Sequence, residues 1–332
     1  MTTITQNTAQ LRLMSHLKAA LPDNISLVEE LADLLQLSND SAYRRIRGET
    51  TVSIDELAVI CKYFKLSFDT FIGNNDTGKV TFSYHRLNSG EVSYKDYLLN
   101  VLKDLQTMLS FDEKKMIYAA EDIPVFYQFH HPELAAFKMF YWQKSIMGLP
   151  EFENKQFDLE SIDPEIIKIS EQILECYLQI PSVEIWNDET VNSTLMQIEF
   201  YWDAGILKSK EDALAICDHV GTMFENIVKQ AETSKKGLGM DDNYALYQSD
   251  VMIGTNCIIV ETNGIKSSYL SFHTFNTMST SNAHFCDETD IWLNNLLKKS
   301  NLISGVAEKQ RYKFFKRINN SLQKLRDKIL ED

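Results

Sequence analysis

The sequence predicts a mainly α protein with a small antiparallel β region, and three observations predict it. Apolar residues recur every three or four positions through most of the chain, which is the period of a helix that buries one face. Two turn-rich stretches, Gly73-Asn74-Asn75-Asp76-Thr77-Gly78 and Ser234-Lys235-Lys236-Gly237-Leu238-Gly239, interrupt that pattern and divide the chain. Beyond the second, residues 257–261 and 265–272 are rich in β-branched and aromatic side chains. Thr262-Asn263-Gly264 between them is a good hairpin turn.

The elements follow in order. Residues 10–73 hold several short helical patterns. Ser26-Leu27-Val28-Glu29 and Ser53-Ile54-Asp55-Glu56 both fit the capping box, in which the serine oxygen accepts from the third amide and the glutamate returns to the cap amide. Between them Leu31, Leu34 and Leu35 form an apolar face, Gln36-Leu37 a short link, and Ser38 a cap for a helix running to Gly48, where a glycine can end it left-handed. Leu57, Ile60, Cys61 and Phe64 give a fourth stripe, and residues 67–71 a short fifth. From 93 to 109, Tyr97, Leu98, Val101, Leu102, Leu105 and Met108 form one amphipathic helix, with similar patterns near 132–147, 163–179, 190–204 and 210–233. No fixed repeat period links them. Two helices close the chain near 288–299 and 307–330. The expected organisation is a head over 1–73, a linker over 74–92, and a large domain over 93–332, helical to 233 and α+β from 240.

Composition bounds what such a chain does. At roughly 150 residues per domain, 332 residues with 44% hydrophobic content make about two domains. The formal net charge is −14, so the molecule as a whole is repelled by phosphate and by anionic lipid, and any nucleic-acid contact is local. Cys61, Cys176, Cys217, Cys257 and Cys286 are odd in number and form no C-x-x-C pair, which is no disulfide framework and points to a reducing compartment. No apolar run approaches the ~18 residues of a membrane helix, and residues 1–10 are polar rather than an export signal. The expectation is a soluble cytoplasmic protein without membrane contact.

Residues 27–71 resemble the lambda-repressor and Cro-like (XRE-type) helix-turn-helix family. The likeness is carried by Glu30-Leu31-Ala32-Asp33-Leu34-Leu35, Leu37-Ser38, Tyr43-Arg44-Arg45-Ile46-Arg47-Gly48-Glu49, Ser53-Ile54-Asp55-Glu56-Leu57 and Tyr63-Phe64-Lys65-Leu66-Ser67. Ala32 is the small residue that lets two helices approach. Gln36 stands where the family usually has glycine, and Arg45 where it is usually apolar, so Ile46 is expected to fill the core instead. The resemblance implies a five-helix DNA-binding head in which the helix after Ser38 lies in the major groove. Asn39, Asp40, Tyr43, Arg44 and Arg47 then read base edges, for which the arginine fork suits guanine, while Ser38, Thr50 and Thr51 touch phosphates. Residues 1–73 carry seven basic and nine acidic side chains. Few phosphates are therefore neutralised, the salt slope is modest, and useful occupancy calls for two heads on one duplex.

No resemblance covers the remaining residues. Tyr118, Phe126, Tyr127, Phe129, Phe137, Phe140, Tyr141 and Trp142 crowd into 25 positions, either as a pocket for a small effector or as core packing. His130, His131 and Glu133 have metal-ligating types without a metal-binding spacing. His284, Cys286 and Asp287 are the other reactive cluster, readable as a thiol nucleophile or as an inert buried cysteine. No phosphate loop, nucleophile elbow or dinucleotide fingerprint occurs, so no catalytic residue, metal or cofactor is expected.

Phe315, Ile318, Leu322, Leu325 and Ile329 are spaced three, four, three and four, an a/d seam that pairs with a second copy or packs on its own domain. From 298 to 328 there are ten basic residues against Glu308 and Asp327. The sequence thus reads as a DNA-binding transcriptional regulator that binds a double-stranded operator as a homodimer and senses an effector. Two alternatives stand beside it: an adaptor whose head binds protein, and an enzyme acting through His284 and Cys286 with an autoregulatory head.

Overall fold

Among the described residues, eight strands in one mixed sheet organise the region beyond residue 78, where the sequence pointed only to a small antiparallel hairpin. The computed structural model describes residues 8–22, 25–64, 66, 68–71, 78–84, 93–158, 163–237, 243–273 and 276–332. The sheet is built from β1 (Ser83–Tyr84), β2 (Lys114–Ala120), β3 (Ser182–Trp186), β4 (Tyr244–Gln248), β5 (Cys257–Thr262), β6 (Ile265–Phe272), β7 (Asn276–Thr280) and β8 (Asn301–Leu302). Its order is β1-β7-β6-β5-β2-β3-β4-β8. Strands β2, β3 and β4 are parallel neighbours, and every other pairing is antiparallel. The overall class is therefore mixed α/β. The stretch 93–233, expected to be helical, contains β2 and β3. These strands escaped detection because they are buried almost end to end, and a strand covered on both faces shows no alternation of apolar and polar residues.

The helices fall close to their expected places. They are α1 (Ala9–Ala20), α2 (Leu27–Leu35), α3 (Asn39–Ile46), α4 (Ile54–Tyr63), α5 (Tyr94–Leu109), α6 (Val125–Gln128), α7 (Pro132–Tyr141), α8 (Pro164–Gln179), α9 (Asn192–Asp203), α10 (Lys210–Thr233), α11 (Ala283–Lys298) and α12 (Glu308–Glu331). Ser53 and Glu56 make both bonds of the expected capping box, whereas Ser26 makes no side-chain cap bond. A third box, Ser93 with Asp96, starts α5. The hairpin turn is as read: Asn263 and Gly264 both have positive φ, 45° and 81°, the requirement of the tight turn that matches strand twist.

Side-chain alternation across the sheet explains its two cores. Met116, Tyr118, Trp186, Tyr244, Ile258 and Val260 face one side and join a large cluster with α5, α7, α8, α9, α10 and α12. Ile117, Ala119, Ile185 and Ile259 face the other, against Cys286, Leu293 and Leu296 of α11. A third cluster, from Leu13 to Phe71, has no member in common with these two. Part of the expected linker is ordered on the sheet. Ser83 and Tyr84 pair with Ser279 and Met278 of β7, and Phe82 meets Phe285 edge to face at 5.2 Å. Residues 74–77 and 85–92 of that linker, residues 1–7, 23–24, 72 and 73 together with Lys65 and Ser67 of the expected head, and Leu238 and Gly239 of the second break lie outside the described residues.

The α12 seam is corrected. Phe315, Ile318, Leu322, Leu325 and Ile329 are at most 7% exposed and belong to the chain's own core, so they are not free to zip onto a second copy. The basic side chains of this helix turn to acids of the same body. Lys328 reaches Glu199 and Asp203 at 2.9 and 2.8 Å, Arg326 pairs with Asp218, and Arg317 reaches Asp188 at 2.9 Å. Part of the local positive charge is thereby answered within the molecule, while Lys309, Lys313, Lys316 and Lys324 are exposed.

Candidate nucleic-acid interface and interior cavity

The turn between α2 and α3 shows how this sequence makes a tight helical corner without the usual glycine. Gln36 takes the left-handed conformation, φ 54° and ψ 48°, and the Leu37 amide donates to the Ala32 carbonyl at 2.8 Å, closing the end of α2. Ser38 then caps α3, its Oγ accepting from the Ser41 amide. Ala32 and Ala42 are buried where the two helices meet. Arg45, in the usually apolar position, points inward: its guanidinium bridges both oxygens of Glu56 at 3.2 and 2.7 Å. This fork holds the Glu56 carboxyl below its ordinary range and ties α3 to the cap of α4. Ile46 packs beside it, half-buried, against the local cluster.

The residues assigned to base reading all reach the surface. Asn39, Asp40, Tyr43, Arg44 and Arg47 are exposed along α3 and its C-cap, with Ser38 and Thr51 exposed at the two flanks and Thr50 half-buried. Arg44 pairs with Asp40 at 3.1 Å and Arg47 with Glu49 at 3.1 Å, and the Arg47 guanidinium sits 5.6 Å from the centre of the Tyr43 ring. Each of these arginines is thus engaged by an acid of the same segment. A support missed in the sequence comes from α1: Gln10 donates to the carbonyls of Arg45 and Thr50 at 2.8 and 2.9 Å and accepts from the Val52 amide at 3.1 Å. That one side chain fixes the loop after α3. No local signal marked it, because its partners lie 35 to 42 positions away.

In the body, Glu184 on β3 is fully buried and accepts four hydrogen bonds. Tyr127 donates to Oε1 at 2.6 Å with Tyr177 beside it, and Trp186 and Tyr244 donate to Oε2 at 3.0 and 3.3 Å. All four acceptor positions of the carboxylate are thus used. Lys236 Nζ lies 3.7 Å from Oε1 and 3.2 Å from the centre of the Tyr177 ring. This is too long for a hydrogen bond, so the pairing is electrostatic and cation–π. Burial pulls the Lys236 ammonium down to about 7, against the upward pull of Glu184.

A sign follows for stability. Between pH 7 and the ordinary lysine range the unfolded chain keeps a proton that the native chain releases, so stability rises with pH. Unfolding measured in urea at pH 7 and 8.5 is expected to show a gain from this group of about 2 kcal/mol, at about 1.4 kcal/mol per pH unit. Lys236→Met is expected to lose that gain. Equal slopes in the two proteins would refute it. From the ordinary thiol pKa of about 9 upward, within the upper part of this window, the buried thiols Cys217, Cys257 and Cys286, all pushed up by burial, act in the opposite direction.

A partly open cavity of about 140 Å³ lies between α5, α6 and the sheet. Four of the eight clustered aromatics, Tyr118, Phe126, Phe129 and Trp142, line it. Phe137, Phe140, Tyr127 and Tyr141 pack elsewhere in the core. The cavity's polar end sits past the carboxyl end of β2, where Asp122, Gln128 and Lys138 gather. Lys138 is 1% exposed, and its ammonium donates to Gln197 at 2.7 Å, Thr194 at 3.3 Å and Asp122 at 3.5 Å. Burial lowers its pKa while Asp122 raises it.

The remaining reactive types do not converge. His131 packs on His219, which reaches Glu133 at 3.4 Å, and among the described residues no three histidines, cysteines or acids are grouped to hold a metal. Cys286 is buried, donates to the Thr280 carbonyl at 3.5 Å, and has its thiol pushed up to about 11 by burial. That is the reverse of an activated nucleophile. His284 turns instead to Glu288, and Asp287 to Lys266. No helix among the described residues is long and apolar enough to cross a membrane. No protein-family model matches the chain, and neither a curated protein nor a solved structure matches it.

Proposed function

We propose that the chain is a sequence-specific DNA-binding transcriptional regulator, with α3 as its reading helix and the large α/β body as a sensing module. The observation that carries this reading is the capped helix α3, set on α2 by a left-handed corner and presenting Asn39, Asp40, Tyr43, Arg44 and Arg47 outward. Such a helix enters a major groove with its N-terminal side chains against base edges. Two heads on one duplex, about 34 Å apart, make up for the small number of phosphates that each neutralises. The dimer contact lies outside the α12 seam, whose apolar residues are in the monomer's core.

A second reading is favoured by the ion pairs Arg44–Asp40 and Arg47–Glu49: a self-neutralised face suits an adaptor that docks on protein. Selection from random double-stranded oligonucleotides with the full chain, at two salt concentrations, separates the two. A regulator is expected to enrich a palindrome with half-sites one helical turn apart, and affinity should fall with salt by a shallow power. Absence of any enriched sequence, with the fold intact by circular dichroism, sinks the regulator reading in favour of the adaptor.

A further inference from the structure

We infer that the cavity between α5, α6 and the sheet is a binding site for a small, uncharged, hydroxyl-bearing aromatic molecule, of the size of phenol or a cresol. The inference rests on reading the body as a sensing module and names the class of molecule it senses. Size comes first. The cavity's volume of about 140 Å³ is close to the ~150 Å³ at which an apolar protein cavity accepts benzene. Its walls suit a ring: Leu98, Val101 and Leu105 of α5 face Tyr118, Phe126 and Trp142.

The polar end decides what the ring carries. The three Lys138 protons all have acceptors, in Gln197, Thr194 and Asp122. Asp122 in turn accepts from Ser193 and Thr194. These groups are spent on one another, and the lysine and aspartate cancel in charge. Gln128 is different. It is fully buried and lines the cavity, and its Nε2 donates to Thr194 at 3.4 Å. Its Oε1 has no partner among the described residues, and an unpaired buried acceptor carries a desolvation cost that a ligand donor removes. Asp104, Asn256, Ser271, Asn276 and Thr277 complete the polar lining, and since Gln128 Oε1 is the buried lining atom left without a partner among the described residues, the group it calls for is one hydrogen-bond donor. A carboxylate would meet Asp122 and an ammonium would meet Lys138, each buried without a free counter-charge. A neutral hydroxyl on an apolar ring satisfies both conditions.

The test uses the full chain and four compounds of one shape, namely p-cresol, toluene, 4-methylbenzoate and 4-methylbenzylamine, with binding read by calorimetry and by Trp fluorescence. We expect p-cresol to bind at least tenfold more tightly than each of the others. Gln128→Leu should equalise p-cresol and toluene. Val101→Phe, on the half-exposed side of α5, should block both and covers the case in which Gln128→Leu fails to fold. Equal affinity for p-cresol and toluene in the unaltered protein overturns the inference, as does the absence of binding, which would leave the site to an ordered water. Operator affinity is measured with and without p-cresol in the same preparation. Binding of p-cresol that leaves operator affinity unchanged upholds the ligand class and removes the sensing role. An operator-binding protein that ignores p-cresol loses only the ligand class.

Discussion

Replacing Glu184 by leucine is expected to cost at least about 4 kcal/mol, read as a loss of the cooperative urea transition of the α/β body or a large fall in its midpoint. The carboxylate is the shared acceptor of Tyr127, Tyr177, Trp186 and Tyr244 and the counter-charge of Lys236. Its removal leaves four buried donors unanswered and takes from Lys236 the counter-charge that favours its protonated form. Breaking one side of a buried ion pair alone costs about 3–5 kcal/mol, and each stranded donor adds roughly 1–3 kcal/mol. Domains are stable by only about 5–15 kcal/mol, so little would remain. Lys236→Met is expected to cost far less, because the glutamate keeps its four donors and the desolvated ammonium disappears. A Glu184→Leu protein within 1 kcal/mol of the parent would show that the network does not organise this core. The double variant closes the cycle, and its coupling energy isolates the ion pair from the hydrogen bonds.

The double substitution Arg44→Ala and Arg47→Ala is expected to lower affinity for the selected operator at least a hundredfold. A bidentate arginine–guanine contact discriminates by about 1–3 kcal/mol, so two such contacts carry roughly 2–6 kcal/mol. The fold should not change, since both side chains are more than half exposed. The ion pairs sharpen the expectation: truncation leaves Asp40 and Glu49 facing phosphate without their partners. Fluorescence anisotropy on the operator and on a scrambled duplex is the measurement. Loss on the operator alone marks base reading, equal loss on both marks simple phosphate attraction, and no loss on either removes α3 from the interface.

How much of this was legible in the sequence depends on how local the cause is. Helices declared themselves through caps and periodicity: Ser53 with Glu56, Ser38 before α3, and the apolar stripe of α5 each act within one or two turns. The exposed face of α3 was legible for the same reason. The exchange of an apolar side chain for Arg45 was visible as an oddity, but its solution, the bridge to Glu56, needed the third dimension. The parallel strands β2 and β3 were hidden because burial on both faces removes the period-two signal, and a two-residue strand such as β1 has no period at all. The polar end of the cavity was hidden by distance. Lys138 meets Thr194 and Gln197 from 56 and 59 positions away, and Glu184 collects donors from three other elements. The aromatic crowding at 118–142 gave part of the answer, since it marked the right region without separating the four rings around the cavity from the four that pack elsewhere.

Both margins of the sheet end in strands of two residues, β1 and β8. A wide sheet with long open margins is a template for other chains, and proteins blunt such margins to stay dispersed. Among the described residues, a molecule pairing with either end strand would find two residues, Ser83 and Tyr84 at one side and Asn301 and Leu302 at the other, a small gain against the ordering of an incoming strand. Such short end strands are a poor template for fibrillar growth.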